Sequence, residues 1–132
     1  HTAEEKQNPY VSCPSGGPLV QHSLVSMLEA YHQEKISLEK IVQKMCHNPA
    51  ILFDISKRGF IQEGFYADLV IFDSKNPWKV SNDNLIYKCN WSPFENKTFK
   101  SRILHTLVNG NLVFSNGKII ESTMGMKINF DR

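Results

Sequence analysis

Five histidines, three cysteines and a scatter of carboxylates are the residues of this 132-residue chain with the chemistry to hold a metal or move a proton. A metal-dependent hydrolase needs such ligands to converge, usually at strand-alternate or helical spacing. His1, His22, His32, His47 and His105 show neither an HxH nor an HExxH pattern. Each isolated histidine therefore reads as structural or solvent-facing, and spacing alone names no metal ligand. Cys13, Cys46 and Cys89 are widely spaced and odd in number, without a CxxC pair. A disulfide framework and a cysteine zinc site both fall away, and a reducing cytosolic setting is the expectation. Asn90-Trp91-Ser92 and Asn96-Lys97-Thr98 match the N-glycosylation pattern, a three-residue signal that chance supplies readily.

For nucleophilic catalysis the candidates are Cys13 or Ser15 with His22, but no Gly-x-Ser-x-Gly elbow surrounds Ser15. Cys13-Pro14-Ser15-Gly16-Gly17 reads better as a loop that presents backbone. Gly16 and Gly17 could bring N–H groups to an anionic ligand ahead of a helix, although a plain turn is the commoner meaning of such a pair. Asp68 and Asp73 flank an apolar run and Glu4-Glu5 lie in a polar one, so solvation or capping is their expected role. Trp78, Trp91, Phe94 and Phe99 alternate with Lys79, Lys88, Lys97 and Lys100, an interleaving that single-strand nucleic-acid faces use. With 15 Lys+Arg against 13 Asp+Glu and a net charge of +2, a packed loop is the better reading, and no nucleic-acid partner is expected.

The elements that must position these residues change character along the chain. Pro9, Pro14, Gly16, Gly17 and Pro18 make the first 22 residues a loop. Leu24, Val25, Met27, Leu28 and Tyr31 then follow a helical period, predicting an amphipathic helix from Ser23 to about His32. Ser37 stands as an N-cap before Leu38, Ile41, Val42 and Met45, with Glu39 in the first turn where the helix dipole favours an anion. Asn48-Pro49 ends that helix in this reading: Asn48 moves to extended geometry and Pro49 opens a short turn through Phe53.

From Gly59 the period switches to two. Tyr66 to Asp73 reads as a strand covered on both faces, and Arg102 to Val108 as another. Asn109-Gly110 and Asn116-Gly117, each between apolar runs, predict two tight hairpins and hence a meander. Trp78 to Phe99 reads as irregular, and the tail from Met124 to Arg132 as weakly strand-like. Apolar residues at 41% and charged residues at 21% fit a folded domain. No run approaches the roughly 20 apolar residues of a membrane helix, so no membrane partner is expected.

The order of several motifs carries more information than their spacing. His1-Thr-x-Glu-Glu-Lys6, Pro14-Ser-Gly-Gly17, Asn48-Pro49-Ala50, Gly64-x-x-Ala67-Asp68-Leu-Val-Ile-Phe-Asp73, Trp91-Ser-Pro-Phe94, Thr106-x-Val-Asn-Gly110 and Gly125-Met-x-x-x-Phe-Asp131-Arg132 occur in sequence. Together they resemble the C-terminal part of the dihydroorotases, cyclic amidohydrolases of the amidohydrolase superfamily. Asn-Pro-Ala with Gly-x-x-Ala-Asp-Leu-Val is shared with allantoinases, hydantoinases and dihydropyrimidinases. The His-Thr-x-Glu-Glu-Lys start and the Trp-Ser-Pro-Phe loop favour dihydroorotase.

The resemblance implies an α/β fold: the C-terminal part of a (β/α)8 barrel metallo-hydrolase, followed by the C-terminal half of a small β-sandwich domain. Residues 1–55 would supply the last active-site loop and closing barrel helices, and residues 56–132 the sandwich portion. It implies a cytoplasmic enzyme of pyrimidine biosynthesis that interconverts N-carbamoyl-L-aspartate and L-dihydroorotate with two zinc ions. Such zinc ions polarise the carbonyl and activate a bridging water. The general-base Asp belongs to an Asp-x-Ala-Pro-His motif, of which only the terminal His, His1, is present. No catalytic residue and no metal ligand therefore fall on this segment. His1, with the backbone of Ser15 and Gly16, would contact the substrate. The partners implied are the small-molecule substrate, the remainder of the same polypeptide and, in some members, a second copy in a homo-oligomer. Residues 1–132 alone would lack zinc and activity. The rivals are an allantoinase, a hydantoinase or dihydropyrimidinase, and a catalytically silent homologue acting as a scaffold.

Overall fold

The computed structural model describes residues 1–121 and 125–131. Helix α1 spans Ser23–His32, as the apolar period predicts, and turns Val25 and Leu28 inward until they are almost fully buried. Ser37 caps α2 (Leu38–Val42), its hydroxyl accepting the Lys40 backbone N–H at 3.3 Å. The same hydroxyl helps hold the exposed Glu39 carboxyl below its usual range, with the Glu39 backbone adding to the effect.

The chain departs from the sequence reading at Asn48. Asn48 stays helical (φ −61°, ψ −43°), so α2 does not end there but runs through a π turn, Gln43–His47, into α3 (Asn48–Leu52). A regular α turn would press the Pro49 ring against the carbonyl four residues back. In the wider turn the Asn48 N–H bonds back to Gln43 instead, opening the ladder just where proline needs room. Gly59 then passes hard against this bend at φ +82°. A Cβ there would lie 2.5 Å from Ala50 Cβ and 2.8 Å from the Cys46 carbonyl.

The larger sheet is antiparallel, in the order β1 (Leu69–Asp73), β4 (Arg102–Val108), β5 (Asn111–Ser115), β6 (Lys118–Ile119). Asn109 and Gly110 (φ 53° and 81°), and Asn116 and Gly117 (φ 47° and 85°), make the two tight turns that the Asn-Gly pairs predict. β1 is shorter than its apolar run and is not covered on both faces: Val70 and Ile71 are 45% and 48% exposed. A continuous apolar strand needs a layer on each side, and within the described residues only part of that cover is present. The groove left between the sheet and the start of α1 measures about 650 Å³.

Asp68 and Asp73 act as capping groups at the two ends of β1. Asp68 accepts the Asn109 N–H at 2.8 Å and pairs with Arg58, which also donates to the Asn109 side chain at 2.6 Å. Asp73 accepts the Lys75 N–H.

The stretch from Trp78 to Phe99 is less irregular than its composition implies. β2 (Trp78–Lys79) pairs with β3 (Thr98–Phe99) at its base, and Val80 continues the pairing by bonding to Lys97 and Asn96. Val25, Val80 and Phe99 form the core, flanked by Trp78, Leu85, Phe94 and Ile103. The aromatics thus pack into the interior, with the Lys97 ammonium 5.2 and 5.0 Å from the Phe94 and Phe99 ring centres.

In the tail, Phe130 forms a single antiparallel bridge with Ile55, and Asp131 N–H donates to the Asp54 carbonyl at 2.8 Å. Met124 and Arg132 lie outside the described residues. Every strand pair here is antiparallel, and no β/α repeat occurs among the described residues. No helix among them is long and apolar enough to cross a membrane.

Candidate functional site

The loop before Pro18 is built from short-range hydrogen bonds. Thr2 Oγ1 accepts the Glu5 N–H at 3.2 Å while Glu5 Oε2 accepts the Thr2 N–H at 2.7 Å, a reciprocal capping box that starts the 3₁₀ turn Glu5–Gln7. The same carboxylate stands 3.5 Å from His1 Nδ1, so the turn that begins the loop also orients the imidazole. The Lys6 ammonium donates to the carbonyls of Pro14 and Gly16, drawing the returning arm of the loop onto the first turn. Cys13 Sγ reaches the Lys6 carbonyl at 3.5 Å. Ser15 and Gly16 are exposed at the end of this arm, and Gly16 adopts φ +82°.

Trp91 fastens the loop to the rest of the fold. Its indole N–H donates to the His1 carbonyl at 3.0 Å across 90 residues, and its Cη2 is 4.0 Å from where a Gly17 side chain would begin. The His1 carbonyl and Gly17 therefore both approach one ring. Behind them, the Tyr87 hydroxyl accepts the Gln21 N–H at 2.9 Å, and the Gln21 side chain bonds to the Asn84 carbonyl and the Ile86 N–H.

His22 is fully buried in an aromatic box: Trp78 and Phe99 stack on it with ring centres 5.9 Å away, and Phe94 and Tyr87 approach at 5.6 and 5.8 Å. Its Nδ1 faces the Tyr87 hydroxyl at 3.3 Å and Ser92 Oγ at 3.5 Å. Both of those oxygens already accept backbone N–H groups, so their protons are free to point at Nδ1. Burial pushes the His22 pKa down from its ordinary value, and burial likewise pushes Tyr87 up. His22 is thus a neutral core residue, and its packed ring is not paired with Cys13 or Ser15 as a base. His32 is also structural, bonded to the buried Ser101 hydroxyl at 2.8 Å.

The family model of the amidohydrolases matches residues 15–113. The chain belongs to the amidohydrolase family. It is 33% identical over 128 residues to a protein named dihydroorotase from Pyrococcus furiosus, an alignment covering 97% of this chain and 30% of that one. A dihydroorotase of Clostridioides difficile is 33% identical over 116 residues, covering 87% and 27%. Among solved structures, a D-hydantoinase superposes with TM-score 0.82 at 22% identity, over 89% of this chain and 26% of its own. The L-hydantoinase (dihydropyrimidinase) of Arthrobacter aurescens superposes with TM-score 0.78 at 29% identity, over 83% and 25%. This amidohydrolase segment spans about 30% of the length of its dihydroorotase relatives.

Zinc, which the family resemblance implies, needs three or four converging ligands. Among the described residues no three of His, Cys, Asp and Glu come together to offer them. The donor set among the described residues does not fit a metal.

Sequence reasoning missed how the amidohydrolase loop holds itself. The Thr2-x-x-Glu5 box was legible, since the pattern is itself a signature of a capped turn. The Lys6 contacts had no such signal: a lysine in a polar run is ordinarily a solvated one, and only the folded-back arm brings carbonyls to it. The Trp91 contact with His1 likewise depends on a 90-residue separation that no local pattern encodes.

Proposed function

We propose that this segment belongs to a zinc-dependent dihydroorotase that interconverts N-carbamoyl-L-aspartate and L-dihydroorotate, and that it supplies substrate contacts rather than the metal centre. The observation that supports this is the approach of the His1 carbonyl and Gly17 to the Trp91 ring, with His1 and residues 15–17 exposed. Both substrates are anionic. Holding a carboxylate calls for a few donors fixed in advance, and an imidazole N–H beside exposed loop amides is such a set. The Glu5 carboxylate, 3.5 Å from His1 Nδ1, holds the ring at the start of the loop.

In this reading residues 1–55 close a (β/α)8 barrel and residues 56–132 form half of a composite sandwich. The general-base Asp and the ligands of both zinc ions lie elsewhere in the polypeptide. The enzyme works in the cytoplasm, in keeping with three free cysteines, and as a homo-oligomer if its copies bury the apolar faces left open here. Residues 1–132 alone bind no zinc and turn nothing over.

A second reading is a hydantoinase or dihydropyrimidinase, favoured by the similarity to the solved hydantoinase structures. Turnover of dihydroorotate, hydantoin and dihydrouracil by the complete enzyme separates the two, and absence of dihydroorotate hydrolysis removes the first. The residue-level test is His1→Ala. Loss of one hydrogen bond to a charged group, worth about 1.5–3 kcal/mol, raises KM roughly tenfold to a hundredfold with zinc content unchanged. Loss of zinc would contradict the role assigned to His1.

A further inference from the structure

Lys6 lies in the first turn of the loop, yet its side chain serves the opposite arm. Its half-buried ammonium sits between the carbonyls of Pro14 and Gly16, eight and ten residues further on. A second contact crosses the same way, from Cys13 Sγ to the Lys6 carbonyl at 3.5 Å, while the Lys6 N–H bonds within its own arm to the Thr2 carbonyl at 3.4 Å. Loop carbonyls are ordinarily hydrated and free to rotate. Here the two that flank Ser15 are both taken up by one cation, through charge-assisted bonds about twice as strong as neutral ones. The residue between them is thereby pinned from either side, while Ser15 and Gly16 stay open to solvent.

We infer that Lys6 is a positioning residue: by clamping the Pro14 and Gly16 carbonyls it presets the Ser15–Gly17 turn, and so sets substrate affinity without touching substrate. Preorganisation of this kind removes an ordering cost from binding, so its loss appears in KM rather than in kcat. The inference rests on the substrate-contacting role proposed for that turn. A lysine placed only for solubility or charge would leave the mobility of residues 12–18 unchanged.

The test uses the complete enzyme and its Lys6→Met and Lys6→Arg variants. Met keeps the length of the side chain and removes the donors; Arg keeps a cation with donors at similar reach. Amide exchange of residues 12–18 is read by mass spectrometry, alongside KM, kcat and zinc content. Lys6→Met is expected to speed exchange in that segment by about tenfold and raise KM by a similar factor, with kcat and zinc held, and Lys6→Arg to recover part of both. Unchanged exchange in Lys6→Met overturns the clamp, whatever the substrate. Faster exchange with an unchanged KM overturns the link from the clamp to affinity. A wild-type enzyme inactive on dihydroorotate refutes the function proposed above, and the exchange result still decides whether Lys6 holds the turn.

Discussion

Gly59 and Gly110 share a backbone conformation and differ in what surrounds them, which makes Gly59→Ala and Gly110→Ala a matched pair. Gly59 has φ +82° and Gly110 φ +81°, so alanine at either position sits in the left-handed region at a cost of about 1–2 kcal/mol. At Gly110 nothing lies within 4 Å of the added Cβ, and strain is the whole effect. At Gly59 the Cβ would meet Ala50 Cβ at 2.5 Å and the Cys46 carbonyl at 2.8 Å. Neither neighbour is the loose end of a long side chain. The Cys46 carbonyl belongs to the π turn, and Ala50 sits in α3 directly after Pro49, so relief requires moving the helical bend itself. Overpacking of that kind adds about 1–3 kcal/mol, for a total of about 2–5 kcal/mol at Gly59. Set against domain stabilities of about 5–15 kcal/mol, this is a severe loss. Denaturant midpoints of the complete enzyme, with amide exchange over residues 43–59 as the local readout, are the measurements to make. Gly59→Ala should fall well below Gly110→Ala and speed exchange specifically around the π turn. Equal losses would refute the close approach, and with it the account of how the chain passes Pro49.

Trp91→Phe keeps a ring against Gly17 and removes the indole donor to the His1 carbonyl. The loss of one neutral hydrogen bond, about 0.5–1.5 kcal/mol, should raise KM roughly twofold to tenfold with kcat held, and an unchanged KM in steady-state kinetics would detach Trp91 from the site. His22 gives a pH dependence. Its folded-state pKa is lowered by burial, so as pH falls below the ordinary histidine value of about 6.5 the unfolded chain takes up a proton that the folded chain refuses. Stability contributed by neutral His22 is present above that value and declines below it, by at most about 1.4 kcal/mol per pH unit, until the lowered folded pKa is reached. Denaturant midpoints between pH 7.5 and 5 should show the slope in the wild type and a weaker one in His22→Phe; identical slopes would remove His22 as its source.

Local rules decided most of the elements. The apolar spacing after Ser23 specified α1, and the hydroxyl of Ser37 specified the start of α2. The Asn-Gly pairs specified both hairpin turns, because each pair supplies two residues that tolerate positive φ. The rule for residues before proline failed at Asn48, since it describes a chain free to turn away. Here a wider π turn absorbs the proline, and the chain runs on as helix. The prediction that β1 is covered on both faces failed for a related reason: an apolar run records that cover is needed, not whether the same segment provides it.

For the site, the sequence by itself determined the family likeness and the chemical types on offer: an imidazole at His1 and a Gly-flanked amide at Ser15 and Gly16. Those depend only on residue identity and on separations of a few positions, which short-range geometry converts directly into turns and caps. Tertiary structure alone decided that the Lys6 ammonium meets the carbonyls of Pro14 and Gly16, that Trp91 binds His1 from 90 residues away, and that His22 is sealed among aromatic rings. Those contacts join parts of the chain whose separation carries no period. The Trp91 and His22 contacts join segments some 56 to 90 residues apart and so require the folded chain, with its core of Val25, Val80 and Phe99.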